Sequence, residues 1–282
     1  MKEEIPMKIY AFADEASPLL KNQIAAMQRN GLSGLEIRNT EYGNVSGLTL
    51  ENAREIRKML SDAGLSVWSC GSPIGKIAIT GDFKAHLEQL RHTLDVAHAL
   101  ETENIRMFSF YLPQDQDAGL YKNQVVDYLG EMLRAAEGSG IDLCHENEKG
   151  IYGDVAVRCR EILDAHPRLK CVFDPANFIQ SGQETLAAWE LLRDRVKYLH
   201  VKDALPSGQV VPAGKGVGRL GDILSDFRAR GGEHLSVEPH LKVFSGLESL
   251  EHGEKTLMDD FAYPTSDAAF DAACSALRQL LG

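Results

Sequence analysis

The sequence predicts an α/β fold, a single (β/α)8 TIM barrel that extends over residues 1–282. Eight short apolar segments of strand-like composition alternate with amphipathic helical segments. This alternation implies parallel strands joined by right-handed crossovers. The length of 282 residues also fits such a barrel, which usually needs about 250 residues. A doubly wound open sheet is the alternative, but no Gly-x-Gly-x-x-Gly pattern follows the first strand.

Each predicted strand follows a short break that often carries glycine. In chain order the breaks and strands lie within 8–15, 30–38, 63–70, 101–110, 138–146, 166–174, 194–203 and 231–240. Helical segments lie between them, for example 49–64 and 83–100. Apolar residues of the second segment fall on one face at a spacing of 3.6, namely Leu87, Leu90, Leu94 and Ala97. We expect residues 1–6 to be a flexible N-terminal extension.

Composition and charge disfavour several classes of function. The formal net charge of −11 disfavours binding to nucleic acid or to anionic membranes. No run of about 18 apolar residues predicts a membrane span, and residues 1–15 hold no apolar stretch that would suit a signal peptide. The five cysteines are scattered without a Cys-x-x-Cys pair. We therefore expect a cytoplasmic protein with reduced thiols, a small-molecule partner, and exposed helices compatible with a homo-oligomer.

The last four predicted strands each end in an ionisable residue. Side chains alternate between the two faces of a strand, so Glu146 shares a face with Cys144, and Asp174 shares one with Val172. The same alternation pairs His200 with Tyr198 and Glu238 with Ser236. The more apolar set of each strand should contact the helices. The other set then faces the barrel interior and brings four ionisable groups to the carboxyl ends of the strands, where TIM barrels carry their chemistry.

The convergence of these groups predicts a metal site. Three carboxylates and one imidazole without a counter-charge would repel one another or take up protons. One divalent cation resolves the repulsion, and this set of oxygen and nitrogen donors suits Mn²⁺, Mg²⁺, Co²⁺ or Zn²⁺. The predicted ligands are Glu146, Asp174, His200 and Glu238. The alternative is that these residues pair with local lysines or arginines, but four of them in register on adjacent strands favour the metal.

Several segments resemble the sugar phosphate isomerase/epimerase family, the xylose-isomerase-like barrels that include ketose 3-epimerases. They read LCHENEKGIYGD, FDPANF, LHVKDA, GKGVG and LSVEPHL, and the resemblance is strongest from 141 to 241. It implies that the fifth to eighth strands supply Glu, Asp, His and Glu to one divalent metal, which match Glu146, Asp174, His200 and Glu238. In the ketose-epimerase branch the two metal-bound glutamates also act as acid and base, which implies catalytic roles for Glu146 and Glu238.

The same superfamily includes an apurinic-site endonuclease with three zinc ions. Its extra metals need histidines at the ends of the third and fourth strands, three residues after the aspartate, and in the loop beyond the ligand histidine. Here those places read WSCGSP, MFSFY, Asn177 and DALPSGQVVPAGKG, and none supplies a ligand histidine. The resemblance to an endonuclease therefore gives the weakest functional hypothesis.

The predicted function is a metal-dependent isomerase or epimerase of a small sugar or sugar derivative. A metal-bound carbonyl would favour loss of the neighbouring C–H proton as an enediolate, and one glutamate would remove that proton while the other returned one. A metal-dependent dehydratase or lyase acting on an inosose or dehydroshikimate type of keto-polyol is the alternative. It needs an acid above the leaving hydroxyl, which the sequence does not identify. A sugar-binding barrel without catalysis is a further alternative.

Candidate substrate-binding residues lie near the predicted mouth of the barrel, and they are Lys202, Asn177, Arg38, His240, Trp68 and Lys149. Lys202 could neutralise enediolate charge, or pair with Asp203 or with a carboxylate of the metal site. Arg38 could bind a substrate carboxylate or phosphate, or pair with Glu36 or Asp14.

The other candidates also keep two interpretations. Asn177 could bind a sugar hydroxyl or fix its own loop, and Trp68 could stack on a sugar or fill the barrel interior. Lys149 lies in a loop that could close over substrate, and His240 shares the phase of Glu238. His145 has the opposite phase to Glu146, which predicts a structural role for it.

Overall fold

The computed structural model describes residues 7–245, 247–250, 256–259 and 262–282. Eight parallel strands form a closed barrel in chain order. They are β1 Lys8–Ala11, β2 Gly34–Ile37, β3 Ser66–Gly71, β4 Asn104–Met107, β5 Asp142–Glu146, β6 Lys170–Phe173, β7 Val196–Val201 and β8 His234–Val237. The predicted (β/α)8 barrel is thereby confirmed.

Ten helices lie in the described part of the chain, most of them between successive strands. They are α1 Leu20–Arg29, α2 Leu50–Asp62, α3 Phe83–Ala99, α4 Lys122–Ala135, α5 Ala156–Ala165, α6 Pro175–Gln180, α7 Thr185–Leu192, α8 Leu220–Ala229, α9 Leu247–Leu250 and α10 Ser266–Leu281. Among the residues that the structure describes, no helix is long and apolar enough to cross a membrane. Residues 1–6, for which the sequence predicts a flexible extension, lie outside the described residues.

The barrel closes by pairing its first strand with its last. Lys8 is in register with His234, and Ala11 with Val237. Two irregularities shift the register, one beside Glu36 between β2 and β3 and one beside Val172 between β6 and β7. Because these shifts tilt the side chains that follow them, they influence which residues meet across the barrel interior.

Alternating side chains on the strands separate into two buried sets, as the sequence predicts. Leu143, Phe173 and Leu235 join the large apolar core between strands and helices. Cys144, Val172 and Tyr198 form a separate cluster inside the barrel. The residues that follow this inner cluster along each strand therefore point into the opening at the carboxyl ends of the strands.

The five cysteines are free and buried, in agreement with the prediction of reduced thiols. Helix α3 also turns its predicted apolar face inward, with Leu90, Leu94 and Ala97 buried.

Candidate metal centre

Four ligand-type residues meet where β5 to β8 end. Glu146 is the last residue of β5, Asp174 follows β6, His200 lies in β7 and Glu238 follows β8. One donor atom from each lies within 4.8 Å of the others, and all four residues are buried. The sequence-predicted ligand set is thus brought together as one cluster.

The imidazole of His200 is fixed by a carboxylate on each side. Its Nε2 lies 2.9 Å from Oε2 of Glu36, and its Nδ1 lies 2.9 Å from Oε1 of Glu146. Burial opposes protonation of the ring, but Glu146 and Glu36 outweigh it and raise the pKa of His200 well above its usual value. With Nε2 held by Glu36, a metal ion that displaced the Nδ1 proton would bind Nδ1 beside the three other candidate ligands. Metal-bound histidines commonly show this carboxylate–histidine arrangement.

Asp174 contributes one engaged and one unsatisfied oxygen. Its Oδ1 accepts a hydrogen bond of 2.9 Å from the backbone N–H of Asn177, and Asp174 thereby caps the N-terminus of α6. Its Oδ2 is buried and accepts no hydrogen bond, although Nζ of Lys202 lies 3.0 Å away. Burial raises the pKa of Asp174 to about 7, with Lys202 acting in the opposite direction. Oδ2 of Asp174, without a hydrogen-bond donor among the described residues, and the nearby imidazole of His200 form an oxygen and nitrogen donor set that fits a divalent cation.

The expectation that the cluster lacks counter-charges is wrong. Nζ of Lys202 lies 2.7 Å from Oε2 of Glu238, and Nη1 of Arg38 lies 3.3 Å from Oε1 of the same residue. Nε of Arg106 lies 3.2 Å from Oε2 of Glu146. Arg38 directly follows β2 and Arg106 lies in β4, so both reach the cluster from across the barrel, and the residue pattern within one strand does not predict such contacts. The metal assignment therefore rests on the donor geometry and not on a lack of counter-charges.

Lys202 does not pair with Asp203, which was one of its alternatives. The carboxylate of Asp203 instead accepts backbone N–H groups at 2.9, 3.0 and 2.9 Å from Gly214, Gly216 and Gly218. The glycine-rich loop thus surrounds a carboxylate of its own chain, and Lys202 pairs with the carboxylates of the candidate metal centre.

A second acidic cluster adjoins the first and is filled by an arginine. Its members are Glu15, Glu238 and His240. The guanidinium of Arg38 reaches Oε1 of Glu15 at 3.1 Å, besides its contact with Glu238, and its Nε lies 2.8 Å from Asp14. Of the two carboxylates that the sequence offers as partners of Arg38, Asp14 is the one that pairs with it. The other, Glu36, pairs with His200. A guanidinium therefore occupies the place that a second cation would take.

A cavity of about 440 Å³ opens above the cluster. The predicted site residues that line it are Arg38, Glu146, Lys149, Lys202, Glu238 and His240. The cavity is also lined by residues that the sequence analysis did not select, among them Lys76, Arg106, Phe108, Tyr111 and Glu148. The sequence could have indicated two of these lining residues. Arg106 is a charged residue within an apolar strand, and Glu148 has the same strand phase as Glu146.

Of the two alternatives for Trp68, the structure shows the one in which it fills the barrel interior, and Trp68 does not line the cavity among the described residues. Its ring stacks on His234 with centroids 3.8 Å apart and meets the edge of Tyr198. His234 opens β8, so this stack lies toward the amino ends of the strands and fills the barrel interior. Alternation predicts which face a residue occupies but not its depth along the barrel axis.

Asn177 holds protein groups and does not line the cavity among the described residues. Its Nδ2 donates to Oε1 of Glu146 at 3.2 Å and to the carbonyl of Asn147 at 2.9 Å. The predicted sugar contact is thus replaced by a positioning role for the Glu146 carboxylate.

His145 points away from the barrel interior, as its phase predicts. Its Nε2 lies 2.9 Å from Oγ of Ser109, in the loop that follows β4. Burial alone lowers the pKa of His145 to about 3, so the ring is neutral.

Comparison with protein-family models decides the family. The model of the xylose isomerase-like TIM barrel matches residues 24–258, which is most of the chain. The chain belongs to this family. No curated protein sequence matches the chain.

Solved structures share the xylose isomerase-like barrel at low sequence identity. D-psicose 3-epimerase with D-tagatose from Clostridium cellulolyticum H10 superimposes with a TM-score of 0.72 at 15% identity, over 98% of each chain. The probable 3-DHS dehydratase AsbF from Bacillus anthracis gives a TM-score of 0.71 at 16% identity, over 96% of this chain and 98% of its own. IolI, with a bound zinc atom, gives 0.73 at 16% identity, over 98% of each chain.

Proposed function

We propose that this xylose isomerase-like barrel is a metal-dependent isomerase or epimerase of a small sugar or sugar derivative. The observation that carries the proposal is the placement of two buried glutamates, Glu146 and Glu238, in one cluster with Asp174 and His200 below an open cavity. Two carboxylates that reach one reacting carbon are what a proton transfer across a planar intermediate needs.

The candidate metal ligands are Glu146, Asp174, His200 and Glu238. A divalent ion held there would polarise a substrate carbonyl and stabilise negative charge on its oxygen. The site resembles the Glu, Asp, His and Glu arrangement that the family resemblance implies. Among the similar structures, IolI holds a zinc atom, which concerns IolI itself.

Two glutamates share the proton transfer in this proposal. One carboxylate removes the proton from the carbon beside the carbonyl. The other, which must take up a proton from solvent earlier in the cycle, returns it to the opposite face or to the neighbouring carbon. Glu146 is oriented for this task by Arg106 on Oε2 and by Asn177 on Oε1. Glu238 is held between Lys202 and Arg38. Fixed carboxylates lose little freedom on reaching the transition state.

Lys202 has a second task in this proposal. Its ammonium group lines the cavity next to Glu238. A cation at this place can neutralise charge that develops on a substrate oxygen when the C–H proton leaves.

The loops above the cluster close the sides of the cavity. Tyr111 donates its backbone N–H to the carbonyl of Ile77 at 2.9 Å, and Leu112 donates to Gly150 at 3.2 Å. Phe108, Tyr111 and Ile151 pack together behind these bonds. The loops after β3, β4 and β5 thus form one tied wall, which limits access of water to a reactive intermediate.

Solvent isotope exchange tests the function directly. Metal-loaded protein is incubated in D₂O with a panel of ketoses, inososes and dehydroshikimate, and deuterium incorporation and water loss are followed. We expect deuterium at a carbon next to a carbonyl, without loss of water. Glu146→Gln and Glu238→Gln should each abolish exchange. Unchanged metal occupancy and unchanged activity in Glu238→Gln would reject the site assignment.

A dehydratase is the second candidate, and His240 favours it. This residue lines the cavity, with Nδ1 3.0 Å from Oε1 of Glu15 and 3.8 Å from Oε1 of Glu238. It therefore places an imidazole, a side chain type that can serve as a general acid, at the mouth, where the sequence alone did not identify an acid for a leaving hydroxyl. Loss of water from an inosose or from dehydroshikimate would select this candidate. Binding of a sugar without exchange or water loss would select a non-catalytic barrel.

A further inference from the structure

Lys76 and Glu148 form an ion pair inside the cavity, outside the metal cluster. Nζ of Lys76 lies 3.0 Å from Oε2 of Glu148, and the two side chains are only 11% and 17% exposed. The same ammonium lies 4.5 Å from the ring centroid of Phe108. Lys76 is thus held between a carboxylate and an aromatic face, and it is committed to partners within the protein.

Glu148 is an enclosed carboxylate, and its ion pair with Lys76 at 3.0 Å supplies the counter-charge that an enclosed carboxylate needs. It follows Glu146 by two residues and lines the same cavity. A negative charge therefore borders the space above the proposed catalytic glutamates.

Carboxylates of the protein match all the described cationic side chains around the cavity, so no excess positive charge is left for an anionic ligand. Among the described residues, five cationic side chains line it, namely Arg38, Lys76, Arg106, Lys149 and Lys202. Three carboxylates line it as well, and they are Glu146, Glu148 and Glu238. Four more carboxylates pair with these cations, and they are Asp14, Glu15, Glu36 and Asp174. Counted without the histidines, the carboxylates exceed the cations by two charges. A divalent ion at the candidate metal centre would offset this difference.

We propose that the cavity selects an uncharged, non-phosphorylated sugar and that Glu148 is the residue that sets this preference through its pair with Lys76. The proposal rests on the proposed sugar isomerase or epimerase function and names its substrate class. A phosphate group would bring uncompensated negative charge beside Glu148 in a partly desolvated space, which is costly. Hydroxyl groups, in contrast, can donate to this carboxylate and accept from Lys76.

The first test compares a ketohexose with its own phosphate. Deuterium exchange is measured on Mg²⁺-loaded protein with D-tagatose and D-fructose and with the 6-phosphate of each. We expect kcat/KM for the free sugar to exceed that for the phosphate by about tenfold or more. Glu148→Gln should narrow or reverse this ratio because it leaves the positive charge of Lys76 without its counter-charge.

Matched variants separate charge from folding. Lys76→Gln combined with Glu148→Gln removes both charges and should give an intermediate ratio. Asp62→Asn removes the carboxylate of the exposed pair with Lys58 and should leave the ratio unchanged. A wild-type preference for the 6-phosphate, or the same ratio in folded Glu148→Gln, would overturn the proposal.

A second readout does not depend on turnover. Inorganic phosphate is titrated into the Mg²⁺-loaded proteins, and thermal stabilisation is measured. We expect Glu148→Gln to be stabilised by phosphate at about tenfold lower concentration than the wild type. Equal stabilisation of both proteins overturns the charge selectivity. Lack of exchange with every sugar would reject the proposed function instead, and the phosphate titration would still decide on Glu148.

Discussion

Nζ of Lys202 lies 2.7 Å from Oε2 of Glu238, a candidate metal ligand. It also lies 3.0 Å from Oδ2 of Asp174, the buried oxygen that accepts no hydrogen bond. The ammonium group and a metal ion would therefore share the same two carboxylates. A lysine in this place keeps the cluster compatible with folding before a metal arrives, since unpaired buried carboxylates are strongly destabilising.

Lys202→Met should destabilise the metal-free protein more than the metal-loaded one. Without the ammonium, Asp174 and Glu238 lose a buried counter-charge, a change that costs about 3–5 kcal/mol in comparable pairs. A divalent metal would replace that charge. The measurement is Tm with Mn²⁺ and with a chelator, and Lys58→Met serves as the exposed control. An equal loss of Tm in both conditions would contradict competition between Lys202 and the metal.

Glu36→Gln should weaken metal binding without removing a ligand. Glu36 accepts the Nε2 proton of His200 and the hydroxyl of Tyr198, at 2.9 and 2.7 Å. Loss of such an outer carboxylate typically lowers metal affinity about 10–100-fold. Calorimetric titration of Mn²⁺ measures the change, with Glu51→Gln on the exposed face of α2 as control. Wild-type affinity in a folded Glu36→Gln protein would remove Glu36 from the metal centre.

His145 should make stability fall in acid. Burial lowers its pKa to about 3 in the folded protein, whereas an unfolded chain has a histidine pKa of about 6.5. Between these values only the unfolded state binds the proton, so this contribution to stability is present above about 6.5 and is lost as the pH falls toward about 3. The slope from this residue alone approaches about 1.4 kcal/mol per pH unit.

His145→Gln removes this titration and provides the measurement. Urea unfolding is measured at neutral pH and at mildly acidic pH. The free energy of unfolding of the wild type should exceed that of His145→Gln by a margin that shrinks as the pH falls. His86 and His234 also have lowered pKa values, mainly from burial, and they remain in both proteins. A constant difference between the two proteins would show that His145 is not the group that titrates.

Asp203→Ala should loosen the glycine-rich loop after β7. Its carboxylate accepts N–H groups from Ala204, Gly214, Gly216 and Gly218. Removal leaves several enclosed donors unpaired, with an expected cost of at least about 2 kcal/mol. Urea unfolding and limited proteolysis within 205–219 would detect it. Asp203→Asn retains one acceptor oxygen, so its stability should lie between that of the wild type and that of Asp203→Ala. Wild-type stability of Asp203→Ala would mean that water replaces the carboxylate.

Strand alternation made the four candidate ligands predictable. Which face a residue occupies depends only on its own strand. The face of each of the four candidate ligands can therefore be predicted from the few residues that precede it. The spacing of one β/α unit between successive ligands then places them on adjacent strands. For the same reason His145 could be separated from Glu146 although the two are neighbours in sequence.

Contacts across the barrel could not be predicted in this way. Arg106 meets Glu146, and Glu36 meets His200, because residues from β2, β4, β5 and β7 converge after the barrel closes. Their meeting depends on the register between strands, including the shift beside Glu36. Register is a property of strand pairs, and no periodicity within one strand encodes it.

The sequence by itself determined the eight-stranded barrel, the inward face of each strand and the identity of the four candidate ligands, because these follow from local alternation of polar and apolar residues. Only the tertiary structure decided that Lys202 pairs with the candidate metal centre, that Trp68 lies deep in the barrel and that Asn177 holds Glu146. Those outcomes depend on distances between residues far apart in the chain, which closure of the barrel and the register between its strands set together.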